Sequence, residues 1–438
     1  MAKVNASKQN GNRLNIGSYS EQELLKFLFQ LYRENKNGQI VELASSIKDR
    51  YPQNSKILDL LAASYSALGY PNQSVSLFKE SLNIDPSAAA TYYNLGTELN
   101  KIEHYNEAIE NFKLAIEFHQ GFSQAHNNLG LALAGLGRDS EAVESYQIAA
   151  DLDPHNTEIN YNRGLSLLAL NNIEEAAHHF KKHNTEKSES YLLRCYYLLN
   201  NRELFEAQLQ NILDKGFANA IIGAVCGDAG LAFNKSIENP FCSKPMEFIL
   251  TGDIIAKYAF GKNLLKEING ILTSDLLPFR QQTLLTNGRQ TAGNIFSENN
   301  KSIKNVERLI HSELAHYKSY FATKSDGIIT KWPPKYQLFG WLISFGNGGE
   351  LEPHIHENGW LSGSIYIYMP EDAVPESGNL VFSTSKQKQK QQATFQKERV
   401  LKVETGSVCL FPSSLYHYTT PFQSNEKRVV LAFDIIPS

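Results

Sequence analysis

The stretch EPHIHENGWLSGSIYIYMP, residues 352–370, decides how the C-terminal half is read. His354 and His356 stand two apart at the mouth of an apolar run with strand composition. Side chains on a strand alternate faces, so both imidazoles are expected to point the same way. Ser364, Tyr366 and Tyr368 share a face by the same rule. That face is expected to line a pocket in which the Ser364 and Tyr366 hydroxyls could bind a ligand, although Tyr366 and Tyr368 read equally well as barrel aromatics. Trp360 and the residues after it are expected to back the histidines. A further histidine, His417, lies in FPSSLYHYTTPF (411–422), and Arg428 follows inside another apolar run, KRVVLAFDI. Three neutral imidazoles, or two with a carboxylate, equip a mononuclear Fe(II), Zn(II) or Cu(II) site. His354, His356 and His417 are therefore expected to meet around a metal. Arg428 is planar, permanently charged and able to bind a carboxylate with two parallel hydrogen bonds. Its plainer reading is an ion pair with Glu426 or Glu404.

The surrounding texture fits a β domain. After Trp332 come YQLFGWLISFG, LSGSIYIYMP, GNLVFST, RVLKVE, SVCLFPS and KRVVLAFDII, separated by Gly, Pro, Asn and Ser clusters. Six short strands in this span predict a compact sandwich or jelly roll. Residues 385–396, with SKQKQKQQ, are too polar for a core and read as a loop. KNVERLIHSELAHYKSYF (304–321) is amphipathic at helical spacing. NPFCSKPMEFI (239–249) reads as extended, since Pro240 and Pro245 forbid a continuous helix.

The N-terminal half repeats. Leu61, Leu95 and Leu129 stand 34 apart, as do Gly96, Gly130 and Gly164, Ala108, Ala142 and Ala176, and the aromatics Phe78, Phe112, Tyr146 and Phe180. Small residues at these places let two helices approach closely, and the aromatics fill the space between units. A 34-residue unit of this kind resembles the tetratricopeptide repeat, which implies a right-handed solenoid whose concave face binds a protein or peptide. SESYLLRCYYLLNNRELFEAQLQNILDKG keeps a helix, turn, helix pattern and is expected to close the array. Helical character begins at SYSEQELLKFLFQLYREN, with Ser18 or Ser20 as the cap.

The segments WLISFGNGGELEPHIHENGWLSGSIYIYMP, GNLVFS, GSVCLFPSSLYHYTTPF and RVVLAFDI resemble a 2-oxoglutarate/Fe(II) oxygenase family found fused behind tetratricopeptide repeats in bacteria. NPFCSKPMEFI and NGRQTAGNIF resemble its entry segments. The resemblance implies a double-stranded β-helix and iron-dependent hydroxylation using Fe(II), 2-oxoglutarate and O2. Arg428 would hold the distal carboxylate of 2-oxoglutarate. Most such oxygenases use His-x-Asp or His-x-Glu, and here His356 stands at the carboxylate position. Three ligand sets stay open: His354, His356 and His417 together, which is favoured; His354 and His417 with water; or His356 and His417 with a nearby carboxylate. Glu352 shares a face with the two histidines on a regular strand, whereas Glu357 points away.

The expected fold class is multidomain α and β, an α-solenoid followed by a double-stranded β-helix with flanking helices. The divisions are 1–17, an arm too polar to bury a core; 18–215, the solenoid; 216–300, a helical and extended connector; and 301–438, the oxygenase domain. A net charge of −4 and a pI near 6.3 give no drive toward nucleic acid or an anionic membrane. Cys195, Cys226, Cys242 and Cys409 show neither metal-ligand spacing nor the density of a disulfide scaffold, and the N-terminus has no apolar signal region, so a cytoplasmic protein is expected. The reading of another class is a non-catalytic, cupin-like metal or ligand module on a tetratricopeptide scaffold.

Overall fold

The computed structural model of the chain describes residues 19–273, 279–280, 284–297, 300–386 and 398–438. The N-terminal arm and most of the SKQKQKQQ loop lie outside the described residues. The chain divides into two compact units, Met1–Ala132 and Leu133–Ser438.

The first unit is built of antiparallel helix pairs: α1 (Glu21–Arg33) with α2 (Asn37–Ile47), α3 (Ser55–Ala67) with α4 (Pro71–Ile84), and α5 (Ala89–Lys101) with α6 (Tyr105–Phe118). Ser20 caps α1 in a reciprocal box with Glu23. Leu24, Leu28 and Leu31 are buried at helical spacing, while Tyr32 is exposed. The close approach read from the repeat is real: a Cβ on Gly96 would stand 2.8 Å from the Phe112 ring. Helix α7 (Ser123–Gly135) runs through the division between the units.

The second unit continues the pairs with α8 (Asp139–Leu152), α9 (Thr157–Ala169), α10 (Ile173–His183), α11 (Glu186–Leu198) and α12 (Arg202–Asp214). Gly164 meets Phe180 as Gly96 meets Phe112, again at 2.8 Å. The closing unit forms as the sequence predicts, in α11 and α12. Helix α13 (Ala220–Ala232) follows and is apolar on every side, because one side joins the helical core through Ile221, Ile222 and Val225. Its Ala220 belongs instead to the core beneath the sheet.

The remaining elements, in chain order, are β1 (Leu250–Asp253), α14 (Ile254–Lys257), α15 (Gly261–Thr273), β2 (Phe279–Arg280), β3 (Leu285–Thr291), α16 (Lys301–Tyr320), α17 (Gly327–Thr330), β4 (Tyr336–Leu351), β5 (Leu361–Tyr368), β6 (Leu380–Ser383), β7 (Glu398–Leu401), β8 (Ser407–Pro412), β9 (Tyr416–Thr419) and β10 (Arg428–Pro437). They form a seven-stranded antiparallel sheet, ordered β1-β8-β5-β10-β4-β3-β2, and a three-stranded sheet, β7-β6-β9. The stretch read as a connector thus supplies three strands of the larger sheet. Its strands are short and polar, so composition did not reveal them.

Strand β10 shows how the layers are separated. Val429, Leu431, Phe433 and Ile435 join the core against α16, which contributes Val306, Ile310, Leu314 and Tyr317. Val430 and Ala432 face the other way, into a core between the sheets with Phe345, Tyr366, Phe382 and Phe411. Each large side chain buried on these faces contributes roughly 1.5–3 kcal/mol. The inward positions of β10 begin at Arg428 and end at Asp434 and Ile436.

Candidate metal centre

The His-x-His pair does not stand on a regular strand. His354 and His356 lie in the connection between β4 and β5, where the only ladder contact is an isolated bridge between His354 and His417. Their backbones exchange two hydrogen bonds, at 3.2 and 3.0 Å, and His356 N–H donates to the Ser413 carbonyl at 3.0 Å. The rings converge all the same. One nitrogen from each of His354, His356 and His417 falls in a group spanning no more than 4.8 Å.

The second nitrogen of each ring is spoken for. His354 Nδ1 is 2.7 Å from the Glu352 carbonyl, and His417 Nδ1 is 3.2 Å from the Leu415 carbonyl. A carbonyl only accepts, so each Nδ1 carries the proton and each Nε2 presents a lone pair. His356 Nδ1 lies 2.6 Å from Asp434 Oδ1 and 3.0 Å from Ser362 Oγ. Ser362 in turn donates to Asp434 at 2.6 Å. A partner on the distal nitrogen is the usual support for a metal-binding histidine. Burial, reinforced by His356 close by, lowers His354 to about 4, and burial holds His417 well below the ordinary histidine range. Both rings are therefore neutral.

The geometry suits a cation. His354 Nε2 and His356 Nε2 are 3.1 Å apart. Nitrogens bound at about 2.1 Å to one ion at right angles stand about 3 Å apart. Without a proton or an ion between them, two converging lone pairs repel. Neither Glu352 nor Glu357 joins the cluster among the described residues. Glu352 serves through its backbone carbonyl. Glu357 turns its carboxylate away from the cluster, to Tyr191 and Arg194, from a turn rather than a strand.

Arg428 lines the same cavity of about 530 Å³. Its residue is 1% exposed, and its guanidinium carbon sits 4.2 Å from the Phe345 ring centre and 5.5 Å from that of Phe422. Nη1 donates to the Gly378 carbonyl, while Nε is buried without a partner among the described residues. The expected ion pairs are not made: Glu426 takes the Tyr368 hydroxyl and Glu404 pairs with Lys402. Burial lowers Arg428 only to about 10, so it stays charged at neutral pH. A buried cation without a carboxylate among the described residues is costly unless a ligand brings one.

Ser364 and Tyr366 also line the cavity, and burial raises the Tyr366 phenol to about 12, against the opposing effect of Arg428. Tyr368 does not join them. The β5–β10 pairing shifts between Val429 and Val430, which puts both Ile367 and Tyr368 on the α16 side. Trp360 also faces that side, donating its indole N–H to the Ile328 carbonyl. Ser362, in the run expected to back the histidines, and Asp434, which no motif announced, orient His356.

Residues 340–434 match the family described as "Putative 2OG-Fe(II) oxygenase". Three tetratricopeptide-repeat families match at 89–118, 123–156 and 140–188. The chain therefore carries tetratricopeptide-repeat matches followed by a match to a domain described as a putative 2OG-Fe(II) oxygenase. No curated protein matches the chain as a relative. Solved structures similar to it include MamA from Desulfovibrio magneticus RS-1, 21% identical, covering 37% of this chain and 92% of that one with a TM-score of 0.36. YrrB, described as a TPR protein with an unusual peptide-binding site, is 21% identical over 40% of this chain and 92% of its own, with a TM-score of 0.36. A Pseudomonas aeruginosa pilF structure is 14% identical over 44% of this chain and 89% of its own, at 0.39.

Proposed function

We propose that the protein is an Fe(II)- and 2-oxoglutarate-dependent hydroxylase whose repeats bring a protein or peptide to a double-stranded β-helix. The observation that carries this reading is the buried Arg428, with no carboxylate partner among the described residues, in the cavity onto which three imidazoles converge. His354, His356 and His417 would hold the metal, and Arg428 the distal carboxylate of the cosubstrate. Fe(II) held there would supply the redox chemistry by which O2 oxidises 2-oxoglutarate to succinate and CO2 while one oxygen enters a substrate C–H bond. Ser362 and Asp434 keep the His356 ring in place. Ser364 and Tyr366 offer hydroxyls to the bound cosubstrate.

The cavity mouth suits an uncharged substrate group. Phe339, Trp341 and Ile436 line it, half-buried, with the Trp341 ring 5.5 Å from that of His356. Such walls shed water from the reacting centre. No described helix is long and apolar enough to cross a membrane, and four buried free cysteines accord with the reducing cytoplasm.

The test is direct. Anaerobic addition of Fe(II) and then 2-oxoglutarate to the purified protein is expected to give a weak visible charge-transfer band, and admission of O2 to give succinate. Absence of both would leave a metal-binding module without turnover. Mass spectrometry of a lysate incubated with the enzyme, with and without 2-oxoglutarate, then identifies the substrate.

A further inference from the structure

The two segments that carry the histidines are tied to the repeat array. Glu357, next in the chain to His356, accepts the Tyr191 hydroxyl on Oε2 and Arg194 Nη1 on Oε1 at 2.5 Å. Both donors stand on α11. Tyr416, immediately before His417, donates its hydroxyl to Asp228 Oδ2 on α13 at 2.8 Å. Lys187 Nζ reaches Asn358 Oδ1 at 3.2 Å. Backbone packing follows the same line: a Cβ on Gly223 of α13 would stand 2.8 Å from Ser414 Cβ.

These ties fall where the sheet provides little. Residues 352–360 have one isolated bridge and a few backbone hydrogen bonds to hold two histidines in place. A ring displaced by 1 Å no longer meets the common point of the other two. Two hydrogen bonds to Glu357, one of them an ion pair, fix the turn that sets His356. An ion pair serving only to dock helices on a sheet needs no such placement, one residue from each of two metal ligands.

We propose that Tyr191, Arg194 and Asp228 are positioning residues of the metal centre, acting through Glu357 and Tyr416. The end of the repeat array thus braces the two segments that carry the ligands, in addition to recruiting a partner. This rests on the reading of His354, His356 and His417 as metal ligands.

The experiment uses the full chain and Co(II) as a spectroscopic probe under anaerobic conditions. Titration gives the affinity, and the visible d–d bands report ligand geometry. The double variant Tyr191→Phe/Tyr416→Phe removes two hydroxyls and no bulk. Arg194→Ala removes the cation, and Arg194→Lys restores it at a contact that uses one nitrogen. The expected result is Co(II) affinity weakened roughly 3- to 10-fold with altered bands in the double variant and in Arg194→Ala. Circular dichroism should match wild type, and Arg194→Lys should recover most of the affinity. Lys235→Ala, which breaks an exposed pair with Glu206, serves as the control that leaves Co(II) binding unchanged. Wild-type affinity and bands in the folded double variant would overturn the positioning role. Failure of the wild type to bind Co(II) would instead overturn the metal-centre reading on which it rests.

Discussion

Arg428 sets the sharpest expectation at the scale of single residues. A guanidinium that is 1% exposed and has no carboxylate beside it among the described residues is a cost to the folded state, offset in part by the Phe345 and Phe422 rings. Arg428→Met removes the charge and keeps much of the volume. Its thermal midpoint is expected to equal or exceed that of wild type, while kcat/KM for 2-oxoglutarate falls about 100-fold or more, since one partner of a charge-assisted pair is lost. A large fall in the midpoint would show that the guanidinium is structural. Asp434 makes a complementary case. It orients His356 at 2.6 Å without itself being a ligand, so Asp434→Asn is expected to weaken metal binding roughly 10-fold. Isothermal titration with Co(II) measures this, and an unchanged affinity would remove Asp434 from the site.

Elements explain what could be read in the sequence and what could not. The helical pairs were legible because their period is local: Gly96 and Gly164 each meet an aromatic sixteen residues on, Phe112 and Phe180, within one hairpin. Gly164→Ala therefore tests the packing against helix propensity. Alanine favours the helix by about 1 kcal/mol, but its Cβ would stand 2.8 Å from the Phe180 ring. Overpacking of this kind costs roughly 1–3 kcal/mol, so urea denaturation is expected to show a net loss of up to about 2 kcal/mol; a gain would show that the rings move aside freely. The site was legible as far as residue types go, since His354, His356, His417, Arg428, Ser364 and Tyr366 line one cavity. Side-chain direction was less so. The expected strand is a turn at 356–359, from which Glu357 reaches α11, and the shifted pairing beside Val429 carries Tyr368 out. Asp434 became visible only when β10 was paired with β5 and β4, a non-local fact that no spacing encodes.

Within the Leu133–Ser438 unit, the join between helices and sheet leaves a signature in the pH dependence of stability. Burial raises Asp228 from 3.8 to about 6, with the Tyr416 hydroxyl, Arg194 and Lys386 opposing the rise. A carboxyl raised in the folded state favours folding when protonated. Its contribution is fully present below about pH 3.8 and is lost as pH rises through about 6. Asp228→Asn keeps an acceptor for Tyr416 and removes the charge. The variant is expected to match wild type near pH 4 and to exceed it at pH 7.5, by on the order of 1 kcal/mol once partial exposure is discounted. For a chain of this size that corresponds to a shift of about 1–2 °C in the thermal midpoint. His179 works in the other direction, since burial lowers it to about 4 and its protonation weakens the fold as pH falls from 6.5. The difference between variant and wild type cancels that term, so midpoints should be compared pairwise from pH 4 to 8. A difference that stays constant across this range would show that Asp228 is ionised throughout and that the Tyr416 tie is a hydrogen bond to a solvated carboxylate.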